Sequence, residues 1–403
     1  MGLGEAASVS MLAVWRPGGS TLLYALTMKD SAPVASEPNF PSTPARINLA
    51  LQGGGSHGAF TWGVLDALLE DGRVIFDGIS GTSAGAMNAV AMAHGFALAA
   101  GKPQADAREQ ARLSLAKFWD GIVTMGALGS TLAKAQRAPF ELLFGGLASN
   151  QSPSQWLADA FASVWSVSVS PYQSNPLDIN PLQNFLDRQI DFERLASYKA
   201  LKVFVVATRV TTGKAEIFSG ERLTSRAVMA SACLPTVFRA VEIEGDYFWD
   251  GGYSGNPAIH PLIYQCDSRD IVLVQLNPIR RDTLPTTSTS ILDRLNEISF
   301  NAALVAEMRA IDFVQRLLAQ GKLDPNRYKD LLMHRIDGGE LLEQFHASTK
   351  ADTDARLIHT LRDLGIDCAK QWLTRTRSKL GTKSSINIAR DYLDDLRVPA
   401  HDS

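Results

Sequence analysis

The apolar positions of this chain change period as it runs, and the changes mark its elements. Ile47 to Leu51 is a short apolar-rich run that predicts a buried strand. Phe60, Val64, Leu65, Leu68 and Leu69 then recur at helical spacing, and Val74 to Ile79 predicts a second strand. Ala84 to Ala100 is the most apolar long run; Asn88 and His94 interrupt it, so it reads as a buried helix and not a membrane span. Residues 107–166 read as largely helical, with a Gly-interrupted apolar stretch from Gly121 to Gly146, and Asp178 to Leu195 has helix spacing. Lys202 to Thr208 is β-branched and predicts a central strand. A helix over Ser225 to Ala232 stops before Pro235, and Tyr247 to Trp249 and Ile271 to Leu276 predict further strands. From about Ser290 the pattern reads as helical to the end, with Ile291, Leu295, Ile298 and Ala302 in register. Strands alternating with helices predict an α/β fold with a mainly parallel sheet.

The first 45 residues lack such a pattern. Two short apolar runs, Met11 to Trp15 and Leu22 to Leu26, are split by Arg16-Pro17-Gly18-Gly19, which is unlike a secretion signal. Lys29 to Arg46 is rich in Pro, Ser and Ala, so residues 1–45 are expected to lie outside the fold, with Met28 as a candidate start.

Composition narrows the function classes. The 403 residues are 45% hydrophobic and 20% charged, ordinary for a globular protein. A net charge of -3 argues against a nucleic-acid partner. Three cysteines without a CxxC pair point to reduced thiols and a cytoplasmic location. The seven histidines show no metal-ligand spacing, so no metal is expected.

The candidate chemistry begins at Gly53, Gly55 and Gly58, which spell G-x-G-x-x-G between a strand and a helix. That is the setting of a pyrophosphate cradle, and Asp77 stands near the distance at which a ribose ligand would be expected. A second motif changes the balance. Gly81-Thr82-Ser83-Ala84-Gly85 is G-x-S-x-G between a strand and a helix, the context a serine nucleophile on a sharp turn requires. The glycine loop is then better read as amides that hold an oxyanion, and Asp77 as a structural residue. The dinucleotide reading stays as an alternative. For a base, His260, His334, His346 and His359 are available, none in an evident catalytic turn. Asp250-Gly251-Gly252 places a carboxylate at a strand end, although Asp-Gly alone is an ordinary turn signal.

The ordered motifs Gly53-Gly54-Gly55-Ser56-His57-Gly58, Gly81-Thr82-Ser83-Ala84-Gly85 and Asp250-Gly251-Gly252, with the small-residue run Ala230 to Pro235, resemble the patatin-like phospholipases and acyl hydrolases. The resemblance spans roughly Ile47 to Asn277. It implies a three-layer α/β/α fold, Ser83 as nucleophile, Asp250 as base and Gly53, Gly54, Gly55 and Ser56 as the oxyanion loop. His57, Gly58, Gly81, Gly85, Gly251 and Gly252 support those motifs. His57 stands where the family usually has Arg or Lys. The chain beyond Asn277 is similar to a helical C-terminal extension of some bacterial patatin-like proteins, carried by Arg327 to Asp330 and Met333 to Ile336. The implied organisation is a leader over 1–45, a catalytic domain over 46–285 and a helical extension over 286–403.

The implied activity is hydrolysis of lipid carboxylic esters through an acyl-enzyme, without a cofactor. A general carboxylesterase, thioesterase or polyester-oligomer hydrolase is the alternative, because the motifs encode the acyl step and not the leaving group. The expected partner is a lipid or other ester substrate, with peripheral contact at the inner membrane face. Gly121 to Gly129, with Phe140, Leu142, Leu143 and Phe144, is a candidate lid or a piece of helical core. Arg375, Arg377, Lys379 and Lys383 form a basic cluster that is either a solvated face or a headgroup contact.

Overall fold

The computed structural model describes residues 44–144, 172, 181–235, 237–345, 349–350 and 352–393. Its centre is a sheet of eight strands: β1 Ala45–Leu51, β2 Val74–Thr82, β3 Lys202–Arg209, β4 Ala215–Phe218, β5 Val241–Ile243, β6 Asp246–Asp250, β7 Asp270–Gln275 and β8 Leu332–Asp337. The order is β5-β6-β3-β2-β1-β7-β8, with β4 also paired to β3. The run from β3 to β8 is parallel, while β4, β5 and β6 add antiparallel pairs at the other end. The helices are α1 Gly58–Asp71, α2 Ala84–Leu98, α3 Gln104–Phe144, α4 Pro181–Gln189, α5 Phe192–Ser197, α6 Ser225–Ser231, α7 His260–Gln265, α8 Ser288–Ala319, α9 Gly339–Glu343, α10 Ala355–Thr376 and α11 Ile388–Tyr392.

The central strands read as nearly unbroken apolar runs because both faces of the sheet are covered. Successive strand side chains point to opposite faces. Leu49 and Leu51 of β1, Val203 and Val205 of β3, and Val272 and Val274 of β7 enter one core with α1, α2, α6 and α10. Ala50, Phe204, Ile271 and Leu273 enter a second core with Leu262 of α7, Leu304 and Met308 of α8, and Ile388 of α11. Two cores on one sheet make three layers. Each fully buried Leu, Ile or Val contributes about 1.5–3 kcal/mol relative to exposure.

The C-terminal third departs from the all-helical reading. Leu332–Asp337 pairs in parallel with β7 over its whole length, and α8 is the crossover between the two. Six residues of mixed apolar character were too short to register as a strand against the helices around them. The face of α8 also differs from expectation. Ile291, Leu295 and Ile298 are 42%, 54% and 52% exposed, whereas Glu297 and Asn301 are turned inward at 4% and 5%. Period placed a helix here correctly, but side-chain polarity misassigned its buried face. Glu297 is held inside by Arg281 and Arg294, and Asn301 bonds Gln52 and the Pro278 carbonyl. Satisfied partners allow polar groups to be buried.

Met28 and residues 1–43 lie outside the described residues, as do the side chains of Phe140, Leu142, Leu143 and Phe144. Gly121 to Gly129 belongs to the continuous helix α3, where Ile122 and Val123 pack on the core. No described helix is long and apolar enough to cross a membrane.

Candidate active site

Ser83 sits between the C-terminal end of β2 and the first turn of α2. Its φ is 54° and its ψ -123°, a conformation a non-glycine residue rarely holds. Surrounding bonds hold the turn. Thr82 Oγ1 donates to the Gly255 carbonyl at 2.6 Å, and Ser83 N–H donates to Ser231 Oγ at 2.8 Å. Gly85 is glycine because any side chain would run into the Leu51 carbonyl of the neighbouring strand. The free amides at the start of α2 lie beside Ser83, where they favour negative charge.

Asp250 ends β6 beside β3, with Ala207 as its strand partner. Its backbone N–H donates to the Cys233 carbonyl at 2.7 Å, at the end of the Ala230 to Pro235 run. The carboxylate is 1% exposed. Oδ1 accepts the Gly252 N–H at 2.7 Å, while Oδ2 has no regular hydrogen bond. Burial pushes the Asp250 pKa up to about 7, partly offset by Gly252 N–H and by the nearby Ser83 hydroxyl. A buried carboxylate with one open oxygen, close enough to Ser83 to feel its hydroxyl, is equipped to act as a base.

The glycine loop follows β1 and faces the same corner. A Cβ on Gly53 would lie 2.8 Å from both Ser83 Cβ and the Thr82 carbonyl oxygen, so only glycine fits. The Gly53 N–H is committed to Asn256 Oδ1 at 2.6 Å, so that amide is not available to an anion as the sequence reading expected. His57 is buried, its Nε2 2.7 Å from Thr349 Oγ1, and its ring edge-on to Phe345 at 6.2 Å. Burial, with Lys350 nearby, lowers its pKa to about 4, so the ring is neutral at neutral pH. A pocket of about 260 Å³ behind the loop is lined by residues including His57, Asn277, Arg281, Glu297, Arg335 and Lys350, but by neither Ser83 nor Asp250.

The other sequence candidates lie elsewhere. Asp77 Oδ2 accepts the N–H groups of Asp267 and Ser268 at 2.6 and 2.8 Å, five residues before β2 ends. It is a structural tie, and the dinucleotide alternative loses its ribose ligand. His334 is fully buried between Asp270 Oδ1 (3.0 Å) and Ser385 Oγ (3.1 Å), a serine-histidine-aspartate array at the opposite end of the parallel strands from Ser83. His260 faces Glu307, and His359 packs on Trp62. His346 lies outside the described residues. The basic cluster near Arg377 and Lys383 follows α10 beside Gly381, whose N–H reaches Asp270 at that same far end.

Gln52, Asn256 and Asn277 were not singled out in the sequence, and Ser231 only as part of the Ala230 to Pro235 run; they tie the glycine loop and the Ser83 turn to their surroundings. All four are buried polar residues; Gln52, Ser231 and Asn277 lie at or just beyond element ends, and Asn256 lies in the loop between β6 and α7. Their signal was polarity next to apolar strand and helix ends, which is weak without coordinates.

The family model described as "Patatin-like phospholipase" matches residues 49–263, more than half of the 403 residues. No curated protein matches the chain. Among solved structures, the crystal structure of VipD from Legionella pneumophila aligns at 14% identity and a TM-score of 0.36, covering 87% of this chain and 73% of that one.

Proposed function

The chain belongs to the patatin-like phospholipase family, and from that membership we propose a serine hydrolase of lipid carboxylic esters with Ser83 as nucleophile and Asp250 as its base. The observation that carries this reading is the Asp250 carboxylate: buried, raised to about 7, bonded through one oxygen and open at the other beside Ser83.

The chemistry runs in two halves. Asp250 Oδ2 takes the Ser83 proton as Oγ attacks the ester carbonyl carbon. The carbonyl oxygen becomes an oxyanion that the Gly54, Gly55 and Ser56 amides bind, with the α2 N-terminus adding its dipole. Each such donor is worth on the order of 3 kcal/mol. The carbonyl re-forms, the C–O bond to the alcohol breaks, and the proton on Asp250 passes to the leaving oxygen. Water then gives its proton to Asp250 and attacks the acyl-Ser83 carbon. Collapse returns the proton to Ser83 and frees the carboxylic acid.

The test is hydrolysis of a p-nitrophenyl ester series and a labelled phosphatidylglycerol by wild type, Ser83→Ala and Asp250→Asn. Both variants are expected to lose about a thousandfold or more in kcat while keeping the wild-type fold by circular dichroism. Full activity in either variant contradicts the dyad. Cleavage of soluble short esters alone keeps the dyad and moves the substrate to the carboxylesterase class.

A further inference from the structure

The glycine loop is gripped from behind by a segment far along the chain. The backbone carbonyl of Lys350 packs where a side chain on Gly55 (φ 56°) would stand. Thr349 Oγ1 meets His57 Nε2 at 2.7 Å. Lys350 Nζ donates to Asn277 Oδ1 at 2.7 Å, and Asn277 Nδ2 donates to the Gly53 carbonyl oxygen at 3.0 Å. Neither Asn277 nor Lys350 lies within the matched residues 49–263.

Two elementary facts give this chain of bonds a consequence. A trans peptide is planar, so the Gly53 carbonyl and the Gly54 N–H point in opposite directions. Whatever pins the Gly53 carbonyl therefore also fixes the direction of the Gly54 N–H, opposite to Asn277. An ammonium can only donate. With Lys350 against it, Asn277 must present its oxygen to Lys350 and its NH₂ to Gly53. Gln52 Oε1 reinforces this by accepting the N–H groups of Leu276 and Asn277 at 2.9 Å and Asn277 Nδ2 at 3.2 Å. Donation into the Gly53 carbonyl also polarises the same peptide and strengthens the Gly54 N–H as a donor.

We infer that Lys350 is a positioning residue that acts through Asn277 to orient the Gly53–Gly54 peptide for oxyanion binding. This rests on the reading of Ser83 as nucleophile. It makes the C-terminal part of the chain a working component of the site. Lys350 supplies the donor that Asn277 Oδ1 needs, and so holds the amide with its NH₂ on the Gly53 carbonyl and Gln52 Oε1, both of which can only accept.

The experiment measures kcat and KM for p-nitrophenyl ester hydrolysis, per mole of folded protein, together with thermal denaturation. Wild type and Ser83→Ala come first: if Ser83→Ala retains hydrolysis, the nucleophile assignment has failed independently of Lys350. Lys350→Met is expected to lower kcat roughly tenfold to a hundredfold with KM within about twofold, the size of effect a displaced oxyanion donor has. Lys350→Arg, which keeps a donor-only head group, is expected to recover most of that loss. Asn277→Asp is the sharper variant. It keeps the oxygen facing Lys350 and forms an ion pair with it, but replaces the NH₂ that holds Gly53 with an oxygen. It is expected to fold and to lose kcat to the same degree, whether or not Lys350→Met folds. A purely structural role predicts a folded Asn277→Asp enzyme with wild-type kcat, and that result overturns the proposal.

Discussion

Gly53 lies against Ser83: a Cβ on Gly53 would stand 2.8 Å from the Ser83 Cβ. The glycine loop and the Ser83 turn, 30 residues apart in sequence, thus form one surface. Gly53→Ala is expected to abolish most ester hydrolysis and to lower stability by about 1–3 kcal/mol, because the methyl must displace either Ser83 or the loop. Denaturant titration and kinetics on one preparation check this. A Gly53→Ala enzyme with normal kcat would separate the loop from the chemistry.

Asp250 gives the pH dependence. In the proposed role of base it works only when deprotonated, and burial raises its pKa to about 7. The kcat/KM profile is expected to rise with pH through about 7 and level off above it. A midpoint near the ordinary carboxylate value would show that the base is not buried as described.

The same raised pKa predicts a stability effect. Between about pH 4 and 7 the folded Asp250 binds a proton that the unfolded chain has released, so stability from this group is present at low pH and falls as pH rises through 7. Asp250→Asn removes the buried charge. Its inactive product is expected to be more stable than wild type at pH 8, on the order of 1–3 kcal/mol, with the difference shrinking toward pH 5. Equal denaturation midpoints at both pH values would contradict this.

Ser231 Oγ accepts the Ser83 N–H at 2.8 Å and is itself fully buried. Ser231→Ala leaves that amide unpartnered on a turn already at positive φ. A loss of about 1–3 kcal/mol in stability, with a fall in kcat, is expected. Retention of both would mean that the turn is held by other bonds.

The two faces of α8 predict opposite responses. Leu295→Gln, on the 54% exposed face, is expected to change stability by less than about 0.5 kcal/mol. Leu304→Ala, at 0% exposure, is expected to cost about 2–5 kcal/mol. Chemical denaturation of the two variants reads the orientation directly.

What the sequence made legible follows from range of interaction. Strands β1, β2, β3 and β7 and helices α1 and α2 were readable because their apolar periods are local and long enough to see. The turns at Ser83 and Asp250 were readable because tight backbone requires small residues at fixed offsets. Strand β8 was hidden because its six residues are defined by pairing with β7, not by a period of their own. The inward face of α8 was hidden because Glu297 and Asn301 are buried by partners at Arg281, Arg294 and Gln52. Lys350 and Asn277 carry no motif, and their contact with the glycine loop spans about 300 and 220 positions.

The central claim, Ser83 as the nucleophile, is tested most directly by intact-mass and peptide analysis after brief exposure to a fluorophosphonate. A single adduct is expected on the peptide containing Ser83, formed in wild type, slowed in Asp250→Asn and absent in Ser83→Ala. An adduct on any other residue, or none in an enzyme that hydrolyses esters, would contradict it.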